Sequence, residues 1–232
     1  MRNRPRTWWI VWSVMALGLA CAKQPAKDVA VGKRQSALSP STTFGIVKKI
    51  PVGVSPQKVV LSSDGTTAYV SNYGASSVSA VDLATGAQVA VYTVGSLPLA
   101  LALGPSGKTL YVGQHGGGVS AIDLASGAVT AIDTGGGPVR DLAIPPGGSR
   151  AYLAMEFAGL RAIDLATGTV STISSVSCPE GLAVTPDGSR LFVNYQCGGP
   201  GGLGGGHDAI GVFDAVTGAY LTSIVGLANV GG

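Results

Sequence analysis

The sequence predicts an all-β chain of repeated four-stranded antiparallel sheets, and three observations carry that prediction. A segment of about 41 residues recurs four times, each copy is punctuated by the same turn residues, and no stretch beyond the first 21 residues keeps a helical period. The glycine closing an Asp-Leu-Ala-Thr-Gly element or its variant falls at Gly86, Gly127, Gly168 and Gly218. The first two intervals are 41 residues and the last is 50.

Within each copy the elements follow in a fixed order. The first strand is an apolar run after a proline, at Pro56, Pro98, Pro138 or Pro179, and a turn follows at Asp64-Gly65, Ser106-Gly107, Gly147-Gly148 or Asp187-Gly188. The second strand carries an aromatic, at Tyr69, Tyr111, Tyr152 or Phe192. The third ends at Asp82, Asp123, Asp164 or Asp214, and the fourth follows the next glycine. Turn chemistry explains the punctuation: an aspartate side chain accepts from N–H groups two residues on, and glycine supplies the positive φ of a tight hairpin.

A single sheet of this kind cannot bury both faces, so consecutive sheets must stack, with their Val, Ile, Leu and Ala residues forming the core between them. Four antiparallel strands per period is the pattern of β-propeller blades. The expected blades lie near residues 52–93, 94–133, 134–175 and 176–224, with the start of a fifth at 225–232 and a stray strand at 43–51. Tyr69-Val70-Ser71-Asn72, together with Pro-Asp-Gly and Asp-Leu-Ala-Thr-Gly, resembles the Tyr-Val-Thr-Asn element of bacterial YVTN-type β-propeller repeats. The resemblance covers roughly residues 43–232, and it implies the fold more than any activity, since propellers host unrelated functions. Such proteins usually carry more blades, often about seven. The expected architecture is therefore an incomplete ring whose open blade edges invite self-association, or a truncated product of a longer chain.

Upstream of the repeats, Arg2, Arg4 and Arg6 precede an apolar run from Trp8 to Ala20, which is too short to span a bilayer and suits a secretory signal over residues 1–21. Leu17-Gly18-Leu19-Ala20-Cys21 resembles a bacterial lipoprotein cleavage box, which implies lipid attachment at Cys21 and a place on the cell envelope, at the outer membrane or facing the periplasm. Ordinary cleavage at Ala20-Cys21-Ala22 is the rival. Residues 22–42, rich in Lys, Ala, Ser and Pro, read as a flexible linker. Residues 43–232 hold eight basic and eleven acidic residues, a balance with no basic face for nucleic acid.

Cys178 lies nine residues before Asp187 and Cys197 nine after Gly188, so a hairpin tipped at Asp187-Gly188 sets them opposite each other, within disulfide reach. Export into an oxidising compartment favours that bond over a two-cysteine metal site with His207. Gly199-Pro200-Gly201-Gly202-Leu203-Gly204 matches a dinucleotide fingerprint in form alone, because a strand rather than a helix follows it. The stretch reads as an insertion of about nine residues between second and third strands.

Loops between second and third strands share a propeller face with the connections into each first strand. That face is the candidate binding face. Its quasi-equivalent positions are Tyr73, His115, Glu156 and Gln196, with His207 and Asp208 arriving on the insertion and Lys58, Arg140, Asp141 and Glu180 at first-strand starts. A histidine and a glutamate on adjacent blades could hold a metal or serve as acid and base; as solvated loop residues they would do neither. No haem-attachment Cys-x-x-Cys-His, nucleophile elbow or calcium loop is present, and no cofactor or metal is expected. The expected function is a non-catalytic module for a protein, glycan or peptide ligand. The competing expectation is a lactonase-like hydrolase using His115, Glu156, His207 and Asp208.

Overall fold

A computed structural model describes residues 48–195 and 209–225. The expected signal, the linker, Cys21 and most of the stray strand lie outside the described residues. Among those described, no helix is long and apolar enough to cross a membrane.

The described residues form four antiparallel sheets, each built from four strands consecutive in sequence. Blade 1 comprises β1 (Pro56–Leu61), β2 (Thr67–Asn72), β3 (Ser77–Asp82) and β4 (Gln88–Thr93). Blade 2 comprises β5 (Pro98–Leu103), β6 (Thr109–Gln114), β7 (Val119–Asp123) and β8 (Val129–Ile132). Blade 3 comprises β9 (Val139–Ala143), β10 (Arg150–Met155), β11 (Gly159–Asp164) and β12 (Val170–Ser174). Blade 4 comprises β13 (Pro179–Val184), β14 (Arg190–Tyr195), β15 (Ala209–Asp214) and β16 (Tyr220–Val225). The insertion of the fourth repeat thus falls between β14 and β15, as its spacing predicts.

Register sorts each blade's residues onto two faces. In blade 1, Val60, Tyr69, Ala80 and Ala90 form one row, and Val59, Val70, Ser79 and Val91 form the neighbouring row on the opposite face. The Tyr69 face packs against Leu101, Leu110, Val112 and Ile122 of blade 2. The same relation recurs between blades 2 and 3, around Tyr111, Leu142 and Leu153, and between blades 3 and 4, around Tyr152, Leu182, Leu191 and Phe213. Burying the Leu and Ile side chains at about 1.5–3 kcal/mol each makes these interfaces the main source of cohesion. Among the described residues no such cluster joins blade 4 to blade 1.

The hairpin tips show why the repeat reads as it does. Asp82 Oδ1 accepts from the backbone N–H and the hydroxyl of Thr85, both at 2.7 Å, while Gly86 takes φ 72° and donates to the Asp82 carbonyl at 2.7 Å. Asp123 with Ser126, Asp164 with Thr167 and Asp214 with Thr217 repeat this arrangement. These bonds hold all four carboxyl groups below the usual carboxylate range. Asp187 is held lowest, at about 2, by the Thr185 hydroxyl and by the N–H and hydroxyl of Ser189.

One expectation shifts. Pro56, Pro98 and Pro179 open their strands, but β9 starts at Val139 and leaves Pro138 one residue outside it. Of the expected stray strand, Lys48 to Pro51 are described and carry no strand, and residues 43–47 lie outside the described residues.

Candidate functional site

In blades 1, 2 and 3 one end carries the loop from second to third strand, and backbone hydrogen bonds tie that loop to the connection leading into the first strand. Tyr73 N–H donates to the Ser55 carbonyl at 2.9 Å, His115 N–H to Leu97 at 2.9 Å and Glu156 N–H to Pro138 at 3.0 Å. The three residues are therefore structural equivalents, and the loops and connections share one face, as the repeat alignment predicts.

The backbone just before the first-strand proline is strained in blades 1, 2 and 4. Ser55, Leu97 and Cys178, each immediately before a proline, have φ of 53°, 59° and 50°. A non-glycine residue in this region costs about 1–2 kcal/mol, so a packed scaffold must hold it there. Blade 3 places Pro138 at that position; a proline cannot take positive φ, and Gly135, Gly136 and Gly137 before it supply the left-handed turns instead.

Beneath the loops lies a buried polar layer. The Gln114 amide nitrogen donates to the Gly117 carbonyl at 3.0 Å, while its oxygen accepts from Ser120 Oγ at 2.5 Å and from Gly95 N–H at 3.2 Å. In blade 1 the smaller Asn72, fully buried, donates to Ser77 Oγ at 3.2 Å and Ser79 Oγ at 2.9 Å, and its Oδ1 has no partner. A Cβ at Gly53 would sit 2.5 Å from the Asn72 side chain, so the connection into blade 1 passes too close for any larger residue.

On this floor the equivalent side chains diverge. Tyr73, in a short 3-10 turn (Tyr73–Ala75), meets His115 edge-on with centroids 6.1 Å apart. Glu156 turns instead to Arg140 on β9, whose Nε lies 2.9 Å from Glu156 Oε2 and 3.7 Å from Glu180 Oε1 on β13. The Nε–H is aimed along neither line, so the contacts are ion pairs rather than hydrogen bonds. Asp141, next along β9, receives Lys58 Nζ from β1 at 3.3 Å on one oxygen and accepts the Leu182 N–H at 3.1 Å on the other. His115 and Glu156 thus engage different partners, and among the described residues no three His, Cys, Asp or Glu side chains are placed to hold a metal.

Phe157, 78% exposed, escapes sequence reasoning. It stands where repeats 1 and 2 carry Gly74 and Gly116, and an aromatic in a slot of glycines was the available signal. Glu156 and Phe157 border a cleft of about 280 Å³ that runs to Val176, Ser177 and Cys178 on the connection into blade 4. Gln196, His207, Asp208 and Cys197 lie outside the described residues.

No family model matches the sequence, and no curated protein matches it. A search of solved structures finds hydrazine synthase from Kuenenia stuttgartiensis, a β-propeller protein, with a TM-score of 0.66 and 24% identity. The likeness is one of fold. It covers 78% of this chain and 53% of the hydrazine synthase chain, so the present chain spans about half the length of that protein.

Proposed function

We propose that this chain is an exported, lipid-anchored β-propeller of the YVTN type that serves as a non-catalytic binding module on a bacterial cell envelope. The observation that carries the reading is divergence on a conserved frame. The equivalent positions Tyr73, His115 and Glu156 share one backbone hydrogen bond and differ in every side-chain property, which is how a scaffold presents recognition residues. The ligand is a protein, glycan or peptide, met by exposed Phe157 and the Tyr73–His115 pair and held by the cations and carboxylates around Arg140. By their places in the sequence we assign to the same face Gln196, the equivalent position of the fourth repeat, and His207 and Asp208 on the insertion. The anchor is Cys21, after a basic and apolar leader.

The Cys178–Cys197 disulfide closes the base of the insertion. Pro179 pairs with Tyr195, and Cys178 and Cys197 lie one and two residues beyond that pair in the sequence. Alkylation under denaturing conditions before and after reduction tests it: two extra thiols after reduction are expected, and two free thiols beforehand refute the bond.

The hydrolase alternative has less support, since Arg140 occupies the Glu156 carboxylate and His115 is turned to Tyr73. The experiment for the main reading is a glycan and peptide array probed with the unchanged chain and with Phe157→Ala. A ligand retained by the first and weakened at least tenfold in the second is expected; no ligand, together with lactone hydrolysis that His115→Ala abolishes, would replace binding by catalysis.

A further inference from the structure

We propose that a cleft between the hairpin tips of blades 3 and 4 binds a free amino acid with an apolar side chain. The cleft lies at the hairpin-tip end of the blades, away from Tyr73, His115 and Glu156, so the inference stands apart from the function proposed above. Its volume of about 320 Å³ falls within the range of about 300–1,000 Å³ usual for small-molecule pockets. Pro145 and Pro146 of the β9–β10 tip, with Pro186 and Val216 from two tips of blade 4, give it apolar walls, and Val216 is 67% exposed. Tyr152 lines it too; the residue is only 4% exposed, and among the described residues its hydroxyl has no hydrogen-bond partner. A buried hydroxyl of that kind is a donor held ready at the cleft.

The polar groups of the cleft come from a departure in the third repeat. At the other three tips a side-chain oxygen accepts the N–H two residues on: Asp64 from Thr66 at 3.1 Å, Ser106 from Lys108 at 3.3 Å and Asp187 from Ser189 at 3.0 Å. Blade 3 has Gly147 there, with φ 67°, whereas the positive φ of the other tips falls one residue later, at Gly65, Gly107 and Gly188. The Ser149 N–H therefore lacks the acceptor that the repeat elsewhere supplies. Arg150, the next residue, makes no ion pair among the described residues, although its charge acts on the Asp164 carboxyl. Both line the cleft and together suit a carboxylate. Asp187 lines it from blade 4, and its Oδ2 accepts only the Ser189 hydroxyl, at 2.9 Å, which leaves capacity for an ammonium group. A zwitterion has both charges met, whereas a bare anion would be opposed by Asp187 and a bare cation by Arg150.

The test is isothermal titration calorimetry of the full chain with L-leucine, L-valine and L-phenylalanine, and with 4-methylpentanoate and 3-methylbutylamine, which keep the leucine skeleton but lack its amine and its carboxylate respectively. At least one amino acid is expected to bind at millimolar concentration. If that is leucine, each analogue should bind at least about tenfold more weakly, because a charge-assisted hydrogen bond is lost. Arg150→Gln should weaken the amino acid by a similar factor. Gly147→Asp gives blade 3 the proline-aspartate-glycine tip of blade 4 and supplies the acceptor from within, so it should fold and exclude the ligand. Tyr152→Phe, with Phe192 at the equivalent position of blade 4, should weaken binding about threefold. Far-UV circular dichroism checks the fold, and Arg150→Gln carries the test should another variant lose it. No binding of any of the three amino acids overturns the proposal, as do analogues that bind as well as leucine. Binding that Arg150→Gln and Gly147→Asp leave unchanged overturns it too, because the amino acid would then sit elsewhere.

Discussion

The two ends of each blade are made from the same repeats yet follow opposite rules. At the hairpin-tip end, Asp82, Asp123, Asp164 and Asp214 perform one task with one geometry, four times over. At the other end, Tyr73, His115 and Glu156 start from one backbone hydrogen bond and reach three different outcomes. The difference teaches that repetition marks what the fold needs and divergence marks what the fold leaves free. Between them, the core serves both ends.

Breaking the core should therefore abolish the contrast. Leu153, fully buried between blades 2 and 3, has no room to collapse, and Leu153→Ala is expected to lower stability by about 3 kcal/mol in chemical denaturation, with both ends lost together. A smaller effect is expected at a hairpin tip. Gly127 has φ 74°, and Gly127→Ala should cost about 1–2 kcal/mol by the same measurement without altering ligand binding.

Acid titration addresses the tips collectively. Their aspartates have folded-state pKa values below the ordinary 3.8, so the stability they add is fully present above that value and is lost as pH falls through the depressed ones, down to about 2 for Asp187. Unfolding followed from pH 5 to pH 2 should steepen below pH 4, and Asp187→Asn should lessen the loss at the lowest pH. The smallest effect on stability is expected at the loop end: His115→Ala should change it by no more than about 0.5 kcal/mol while weakening ligand binding, the reverse of Gly127→Ala.

How much of this was legible in the sequence follows the same division. Asp82 and Gly86 announce a hairpin because the bonds that define it span a few residues, and Tyr69 announces a blade because its partners recur at a fixed period. The strain at Ser55, Leu97 and Cys178 was not legible, since a proline after each suggests extended backbone, whereas all three take positive φ. Nor was the grouping of Arg140 with Glu156 and Glu180 visible as such. Those residues could be assigned to one face, but their pairing depends on how closely blade 4 approaches blade 3. Phe157 was missed because a repeat alignment weighs what recurs, and it does not recur.

Asp141 bears on how the molecule comes apart. In a linear array of repeats, each unit touches only its neighbours, and the end units fray independently. Asp141 departs from that rule by holding Lys58 of blade 1 with one oxygen and the backbone of blade 4 with the other. Blades 1 and 4 thus share a single carboxylate, so amide hydrogens in β1 and β13 should exchange in concert, and neutralising that carboxylate should let each of the two blades open on its own.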